Sequence, residues 1–495
     1  MGQMRFFAPQ AERISPSAPE RAYIAGAEGT PWECRIEYDS GLLTITRDAR
    51  ESGHLYFPWN VLGQGEVVLS TASLMERVEP YHLPVELARG CINRLRNQSH
   101  IWQQAGMTLP PKFTKLLKEA STIFARAATG QHDDAAAANW AEQAICLAVE
   151  AAELLVQNYT AQVLAIRRGG GNPLSTLVVG RLEKIPTPPL DASFIAAFNM
   201  ASIGATWKDL EPVAGTRDFT RVDETLVWAR ERGLRLMVGP LLSLTPQHLP
   251  DWLYLWEDEF EELQQFVRQH VEAVVQRYKG KVHLWHVAAG MNCSRSLSLD
   301  EEQRLKLTVE AIELVRAIDP RTPVFVSFDQ PWGEYIASED QELTPLNFAD
   351  TLIRGELGLS GVGIDINFGY WPGGTLLRDP LEISRMLDRW TYLQVPLVIS
   401  LAIPSSSAPD PTARKPLKPV PGMSAAGISP TWQRQQLEKI LPLFACKQSV
   451  QAILWNQWSD ESQHELPHAG LIDYTGKEKP ALDYLKTFRR DTIGN

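Results

Sequence analysis

Three aspartates stand where acid–base chemistry would need them, close to the ends of short apolar segments. Asp329 and Asp460 follow such segments, and Asp365 lies within another. Two carboxyl groups on either side of a glycosidic bond can protonate the leaving oxygen and attack the anomeric carbon, at a separation of about 5 Å. Alternatively, these acids cap helices or bind backbone amides. The sequence leaves both interpretations open.

The chain is rich in tryptophan, with 15 Trp against 12 Tyr and 16 Phe. Such a surplus suits either a large core or a cleft in which flat ligands such as sugar rings stack. In the second case, aromatic residues and one glutamate from a polar loop would join the aspartates in an acidic, aromatic-lined mouth. The candidate substrate-binding residues are Trp207, Trp332, Glu334, Tyr370, Trp371, Trp455 and Trp458.

The segments that must position these residues change character along the chain. Residues 1–83 contain alternating apolar and polar runs, which predict a β-rich, sandwich-like accessory domain. Residues 84–185 follow the helical period and predict a helical segment with a linker. Residues 186–495 alternate short apolar strands with amphipathic helices.

Seven strands are predicted in the last region, at residues 194–198, 234–238, 282–287, 323–328, 362–366, 396–401 and 452–455. An eighth is expected near residues 177–179 or within 206–222. Repeated βα units of this number predict an α/β fold, a (β/α)8 TIM barrel, in which the carboxyl ends of the strands form the working face. A doubly wound open sheet is the alternative, although no GxGxxG motif follows any strand.

Composition limits the partners and cofactors. The chain has 48 Lys and Arg against 59 Asp and Glu, a net charge of -11, so neither nucleic acid nor an anionic membrane is expected as a partner. No apolar run is long enough to predict a membrane span or a signal peptide, and a cytoplasmic protein is expected. The five Cys and ten His are scattered, so no disulfide framework, metal or cofactor is expected. The oligomeric state stays open.

Several short motifs follow one another in a set order between residues 194 and 486. They include Phe198-Asn199, Glu211-Pro212, Trp285-His286-Val287 and Trp455-Asn456-Gln457-Trp458. In this order they resemble glycoside hydrolase family 10, the retaining xylanases. The resemblance implies a barrel that acts on a β-glycan, with a sugar stacked on Trp455.

The catalytic residues of that family are missing from the matching positions. The resemblance places its acid/base Glu at Gly290 and its nucleophile Glu at Leu401, and neither side chain can transfer a proton or attack a sugar. Supporting positions differ too, since Ile203, Thr206, Pro240 and Asn367 stand where the family has Asn, Lys, His and His. His286 replaces an Asp and is expected to be a hydrogen-bonded core histidine. The resemblance therefore implies the scaffold without the reaction.

A Pro/Ser-rich segment, residues 404–430, predicts a long loop after the seventh strand. It would either line the barrel mouth, where Arg414, Lys415 and Lys418 could pair with the acids, or form a solvated loop.

Three functions remain open. The first is a non-hydrolytic family-10-like protein that binds a poly- or oligosaccharide. The second is a glycoside hydrolase with relocated carboxylates, Asp329, Asp365 or Asp460. The third is an intracellular structural or assembly protein, for which we expect a plugged barrel top and an apolar patch on the N-terminal half.

Overall fold

The computed structural model describes residues 2–293, 296–339, 341–414, 419–420 and 422–494. Two small sheets form the N-terminal region, one with strand order β3-β4-β1-β7 and the other with order β2-β5-β6. Their strands are β1 (Gly2–Phe7), β2 (Tyr23–Ala25), β3 (Arg35–Asp39), β4 (Leu42–Arg47), β5 (His54–Val61), β6 (Gly65–Ser70) and β7 (Tyr81–His82). The predicted β-rich N-terminal region is thus confirmed.

Three long helices follow: α1 (Leu83–Gln104), α2 (Pro111–Thr129) and α3 (Asp134–Arg167). Asp133 caps α3 by accepting a hydrogen bond from the Ala136 amide at 3.0 Å. Glu142 of α3 accepts a bond from the Trp59 indole at 3.0 Å, which joins the helices to the β region. On the other side, Glu153 of α3 forms a 2.5 Å ion pair with Lys439 of the C-terminal region.

Eight parallel strands then close into a barrel, because β8 pairs with β16 as well as with β9, and β10 pairs with β12. They are β8 (Leu177–Leu182), β9 (Met200–Ile203), β10 (Arg235–Val238), β12 (Leu284–Ala289), β13 (Val324–Asp329), β14 (Gly361–Asn367), β15 (Leu397–Ala402) and β16 (Val450–Trp455). The two-residue strand β11 (Leu242–Ser243) lies beside β12. The TIM barrel is confirmed, and closure rules out the open sheet.

Helices occupy the connections between these strands. They are α4 (Leu190–Ala197), α5 (Trp207–Leu210), α6 (Thr220–Glu231), α7 (Phe260–Tyr278), α8 (Glu301–Ile318), α9 (Pro345–Arg354), α10 (Pro380–Trp390), α11 (Pro430–Cys446) and α12 (Pro480–Thr492). Asp300 and Gln303 form a capping box at the start of α8. Within the described part of the chain, no helix has both the length and the apolar character that crossing a bilayer requires.

One detail of the predicted order is wrong. Residues 194–198 are not a strand: 194–197 end α4, and the strand begins at Met200. A short apolar run does not distinguish a strand from a buried helix, and here Phe194 packs edge-on against Trp458 at 5.1 Å. The eighth strand expected near residues 177–179 is present as β8, the first strand of the barrel.

The barrel interior changes from apolar to polar along its axis. Its lower part holds an apolar layer of Val179, Met200, Met237, Phe325, Val398, Ala452 and Leu454. The next inward-facing positions toward the carboxyl ends carry polar side chains, and they form the floor of the candidate site.

Candidate binding site at the barrel mouth

A polar layer lies directly above the apolar layer. Because side chains alternate across a strand, the residue two positions after an inward-facing one also faces the axis. This relation links Arg181 to Val179, Ser202 to Met200 and Asn456 to Leu454. The polar layer consists of Arg181, Ser202, His286, Ser327, Asp365, Ser400 and Asn456.

Hydrogen bonds connect one side of the polar layer. His286 Nε2 lies 2.9 Å from Ser327 Oγ, and the Ser327 hydroxyl donates to Asp365 Oδ2 at 3.2 Å. Burial, assisted by the positive charge of Arg181, holds the pKa of His286 well below its ordinary value, so this imidazole is neutral. His286 is 2% exposed and stacks on Phe325 at 4.3 Å. The prediction of a hydrogen-bonded core histidine is confirmed.

Asp329 and Asp365 lie opposite each other on adjacent strands, and their side chains interact. Burial raises the pKa of Asp365, while the charge of Arg181 and side-chain contacts with Ser400, Asp329 and Ser327 act to lower it. The structure therefore brings together two of the three predicted acids as neighbours.

Position 290, which the sequence resemblance aligns with the acid/base residue, is a glycine. Gly290 has a φ of 65°, and a Cβ at this position would lie 2.7 Å from Asp329 Oδ2. The Asp329 carboxylate thus occupies the space that a side chain at 290 would enter.

The position matched to the nucleophile faces away from the axis. Leu401 is 0% exposed and belongs to the main core, while its neighbour Ser400 faces the axis. The next axial residue on the strand is Ala402, so no carboxyl group lies at either position.

The barrel mouth holds a cavity of about 530 Å³ beside β8, β9 and β16, a volume that suits a small ligand. We call it the mouth cavity. Its lining combines apolar side chains with charged and polar ones, which include Arg181, Glu183, Arg221, Arg414 and Asn456. Among the described residues that line it, none is Trp, Tyr or Phe. Burial raises the pKa of Glu183 to about 7, although Arg181 acts to lower it.

The predicted loop at 404–430 reaches this cavity. Arg414 lines it and lies 3.8 Å from Asp209 and 3.6 Å from Glu465, whereas Lys415 and Lys418 lie outside the described residues. Farther along, the Gly422 carbonyl accepts a bond from the Glu66 amide at 2.7 Å. The loop therefore joins the barrel mouth to the N-terminal β region.

The aromatic residues predicted to bind substrate lie elsewhere. Trp455 donates to the Ala469 carbonyl at 3.1 Å, and Tyr370 donates to the Pro467 carbonyl at 2.7 Å. Trp207 stacks on His270, and Trp332 lies beneath the Arg378 guanidinium. All of these, with Trp458, are at most 3% exposed, so their ring faces are closed to a sugar. Trp371 is half-buried and lines a separate small cavity.

Two predicted acidic residues are held in buried ion pairs. Asp460 lies 2.5 Å from Lys479 Nζ and accepts the Gly470 amide at 2.7 Å. Glu334 forms a 2.9 Å pair with Arg378 in which both side chains are 0% exposed. These acids are fixed within the fold and lie apart from the mouth cavity.

Sequence reasoning predicted Arg414 at the barrel mouth but missed the other charged residues that line the cavity. Arg181 lies in the strand Leu177–Leu182, two residues after Val179, and so faces the barrel axis. A charged residue at an axis-facing position of a barrel strand could have indicated the site. The sequence alone does not show which residues of β8 face the axis.

Comparison with known proteins relates the barrel to one family. The sequence model of glycosyl hydrolase family 10 matches residues 191–294. Native xylanase 10B from Thermotoga maritima is 16% identical, with 66% of this chain and 96% of that chain covered at a TM-score of 0.47. A GH10 protein from Paenibacillus barcinonensis is 17% identical, with 68% and 98% covered at a TM-score of 0.46. The family match and the closed parallel barrel show a family-10-like fold.

Proposed function

We propose that this protein, which has a family-10-like barrel, is a non-hydrolytic carbohydrate-binding protein that takes a short sugar or related polyol at the barrel mouth. The observation that carries the proposal is the contact between Gly290 and Asp329, because the Asp329 carboxylate occupies the space that an acid/base side chain at position 290 would enter.

Hydrolysis by relocated acids requires two carboxyl groups at the distance that the mechanism needs. Retaining enzymes hold their two carboxyl groups about 5–5.5 Å apart, and inverting enzymes hold them farther apart. Asp329 and Asp365 lie side by side on adjacent strands and interact through their side chains, which favours a mutually interacting pair over two carboxyl groups set apart on either side of a substrate. Asp460 is neutralised by Lys479 outside the cavity. These arrangements favour binding without bond cleavage.

The mouth cavity supports binding of a small hydroxylated molecule. Its volume, about 530 Å³, is within the usual range for small-molecule sites. The polar layer offers hydrogen-bond donors and acceptors from several strands, which is how a ring of hydroxyl groups is held. Without an aromatic platform in the lining, we expect a ligand of one or two rings rather than a long glycan.

The structural or assembly function is the second candidate, and the open cavity argues against it. A barrel kept only as a scaffold was expected to have a plugged top, whereas the polar layer opens onto the mouth cavity through Arg181 and Asn456.

Two measurements test the proposal. Wild-type protein and the variants Asp329→Asn and Asp365→Asn are assayed for reducing-sugar release from xylan and xylo-oligosaccharides. Calorimetric titration is then done with xylose, xylobiose, glucose and glucuronate on wild type, Asn456→Ala and the surface control Asp350→Asn. We expect no release from any variant, and binding that Asn456→Ala weakens about tenfold while Asp350→Asn leaves it unchanged, as loss of one hydrogen bond predicts.

Two outcomes would overturn the proposal. Release by wild type that disappears in Asp329→Asn or Asp365→Asn would establish the relocated hydrolase. Absence of binding to neutral and acidic sugars alike would leave the structural function.

A further inference from the structure

We infer that the mouth cavity selects an anionic sugar, a one-ring hydroxylated carboxylate such as a uronic acid, and that Arg181 binds its carboxylate. This inference rests on the proposed function and specifies the ligand class.

Arg181 is an arginine inside a barrel with its hydrogen-bonding groups unused. Among the described residues it forms no hydrogen bond or ion pair, and its Nε is buried without a partner. A guanidinium has five N–H donors in a planar fork that matches a carboxylate. Buried polar groups in folded proteins are nearly always hydrogen-bonded, so a guanidinium left open toward a cavity points to a ligand that supplies acceptors.

Two other unused polar groups flank Arg181 in register. Arg181 of β8 lies opposite Ser202 of β9, and Asn456 follows Trp455, which lies opposite Gly180 on the other side. Ser202 Oγ and Asn456 Oδ1 are also buried without hydrogen-bond partners, and Ser202 is 0% exposed. The three groups form one row, of which Arg181 and Asn456 line the mouth cavity while the fully buried Ser202 does not. A carboxylate on Arg181, with a neighbouring hydroxyl group that donates to Asn456 Oδ1, matches the two lining groups.

The charges around the row favour a single negative charge. Burial raises the pKa of Asp365 and of Glu183, while Arg181 acts to lower both, so these two carboxyl groups set a limited negative charge against Arg181. They would still repel a phosphate dianion. A carboxylate monoanion is therefore favoured over a sugar phosphate.

The other arginines at the cavity rim are already engaged. Arg221 donates to the carbonyls of Glu183 and Gly204 at 3.3 and 3.0 Å. Arg414 lies beside Asp209 and Glu465. Arg181 is accordingly the lining arginine left to bind an anion among the residues that the structure describes.

Calorimetric titration of the full chain tests the inference with glucuronate, galacturonate, glucose, xylose and glucose 6-phosphate. The variants are Arg181→Met, Arg181→Lys and Arg235→Met. Arg235 starts barrel strand β10 and is exposed at its amino end, so it controls for loss of a barrel arginine. Circular dichroism verifies that each variant is folded.

In wild type we expect a uronate to bind at least tenfold more tightly than glucose, with the difference shrinking as salt is raised. Arg181→Met should abolish this preference, Arg181→Lys should keep part of it because the charge remains without the planar fork, and Arg235→Met should leave it unchanged.

The failures of the two proposals differ. If wild type binds neutral sugars as tightly as uronates, or binds glucose 6-phosphate best, the uronate inference is wrong while carbohydrate binding stands. If Arg181→Met keeps the uronate preference, the assignment to Arg181 is wrong. If no sugar of either kind binds, both proposals are wrong.

Discussion

Gly290 and Asp329 share one space at the barrel mouth, with 2.7 Å between the Cβ position of residue 290 and Asp329 Oδ2. Ordinary contacts of a carbon and an oxygen are longer than this, so a side chain at 290 would displace the carboxylate or the strand end. The neighbouring strand, through Asp329, therefore fills the space beside position 290.

Replacement of Gly290 by alanine tests this relationship. Gly290 and Gly280 have similar left-handed φ values, 65° and 71°, but a Cβ at Gly280 would meet nothing within 4 Å. Gly280→Ala should cost about 1 kcal/mol from the backbone alone. Gly290→Ala should cost at least about 1 kcal/mol more, because it adds overpacking. Urea denaturation measures both.

The contact partner can be removed in the same experiment. Asp329→Ala should reduce the cost of Gly290→Ala, which makes the two changes non-additive. Equal costs for Gly280→Ala and Gly290→Ala would contradict the shared-space interpretation.

Asp460 is expected to stabilise the fold without a role in chemistry. Its carboxylate holds Lys479 at 2.5 Å and accepts bonds from Gln457 and the Gly470 amide at 2.7 Å each. Asp460→Asn leaves a buried ammonium group without its counter-charge and should lower the free energy of unfolding by about 3 kcal/mol. The exposed pair Arg354–Asp350, at 2.6 Å, provides the control Asp350→Asn, with a cost below about 0.5 kcal/mol.

A second variant tests whether the unpaired Lys479 ammonium group causes the loss of stability in Asp460→Asn. Lys479→Met added to Asp460→Asn removes the unpaired ammonium group and should recover part of the lost stability. If Asp460→Asn is as stable as Asp350→Asn, the structural assignment of Asp460 is wrong.

Most of the barrel was predictable because its strands are short apolar runs separated by helical periods. β13, β14 and β15 stand out in this way. Asp329 ends β13, and Asp365 lies in the second half of β14. The strand β9 was missed because it has four residues and directly follows the apolar end of α4. A hydrophobic run gives no direct measure of backbone conformation, and packing against Trp458 decides it here.

The site was harder to predict than the fold, because side-chain direction decides it. Trp455 stands at a strand end, as a sugar platform would, but its neighbours Leu454 and Asn456 take the axial face. Ser202 and Ser400 interrupt apolar runs and look like minor variation in the sequence. They become part of a site only when eight strands close and place them in one layer.

Asp410 fastens the long loop to the segment after β16. It accepts a bond from the His468 amide at 2.8 Å and lies 3.0 Å from His464 Nε2. Burial alone would raise its pKa, but hydrogen bonds from Thr412 and the His468 amide outweigh burial and hold the pKa at about 2. Because this folded-state pKa is below the ordinary value of 3.8, the stabilisation is complete above pH 3.8 and is lost as the pH falls toward 2.

The variant Asp410→Asn should remove this acid-dependent loss, which amounts to at most about 2 kcal/mol. Thermal unfolding between pH 5 and pH 2 measures the difference, and limited proteolysis at neutral pH reports release of residues 404–430. Asp473 makes a similar turn with Thr475 and Lys477, so Asp473→Asn should leave that loop protected. A loop that is cleaved equally in both variants would rule out Asp410 as its anchor.

Glu183 should report the state of Arg181. Burial raises the pKa of Glu183 to about 7, and the charge of Arg181 keeps it from rising further. Arg181→Met should therefore move the midpoint of Glu183 above 7, whereas Arg235→Met should leave it in place. Carbon-13 NMR of the side-chain carboxyl, assigned with Glu183→Gln, measures the midpoint directly. A raised folded-state pKa also means that stability is lost as pH rises through 7, so Glu183→Gln should flatten that limb of the stability curve. An unchanged midpoint in Arg181→Met would place the guanidinium too far from Glu183 to act on a ligand in the same cavity.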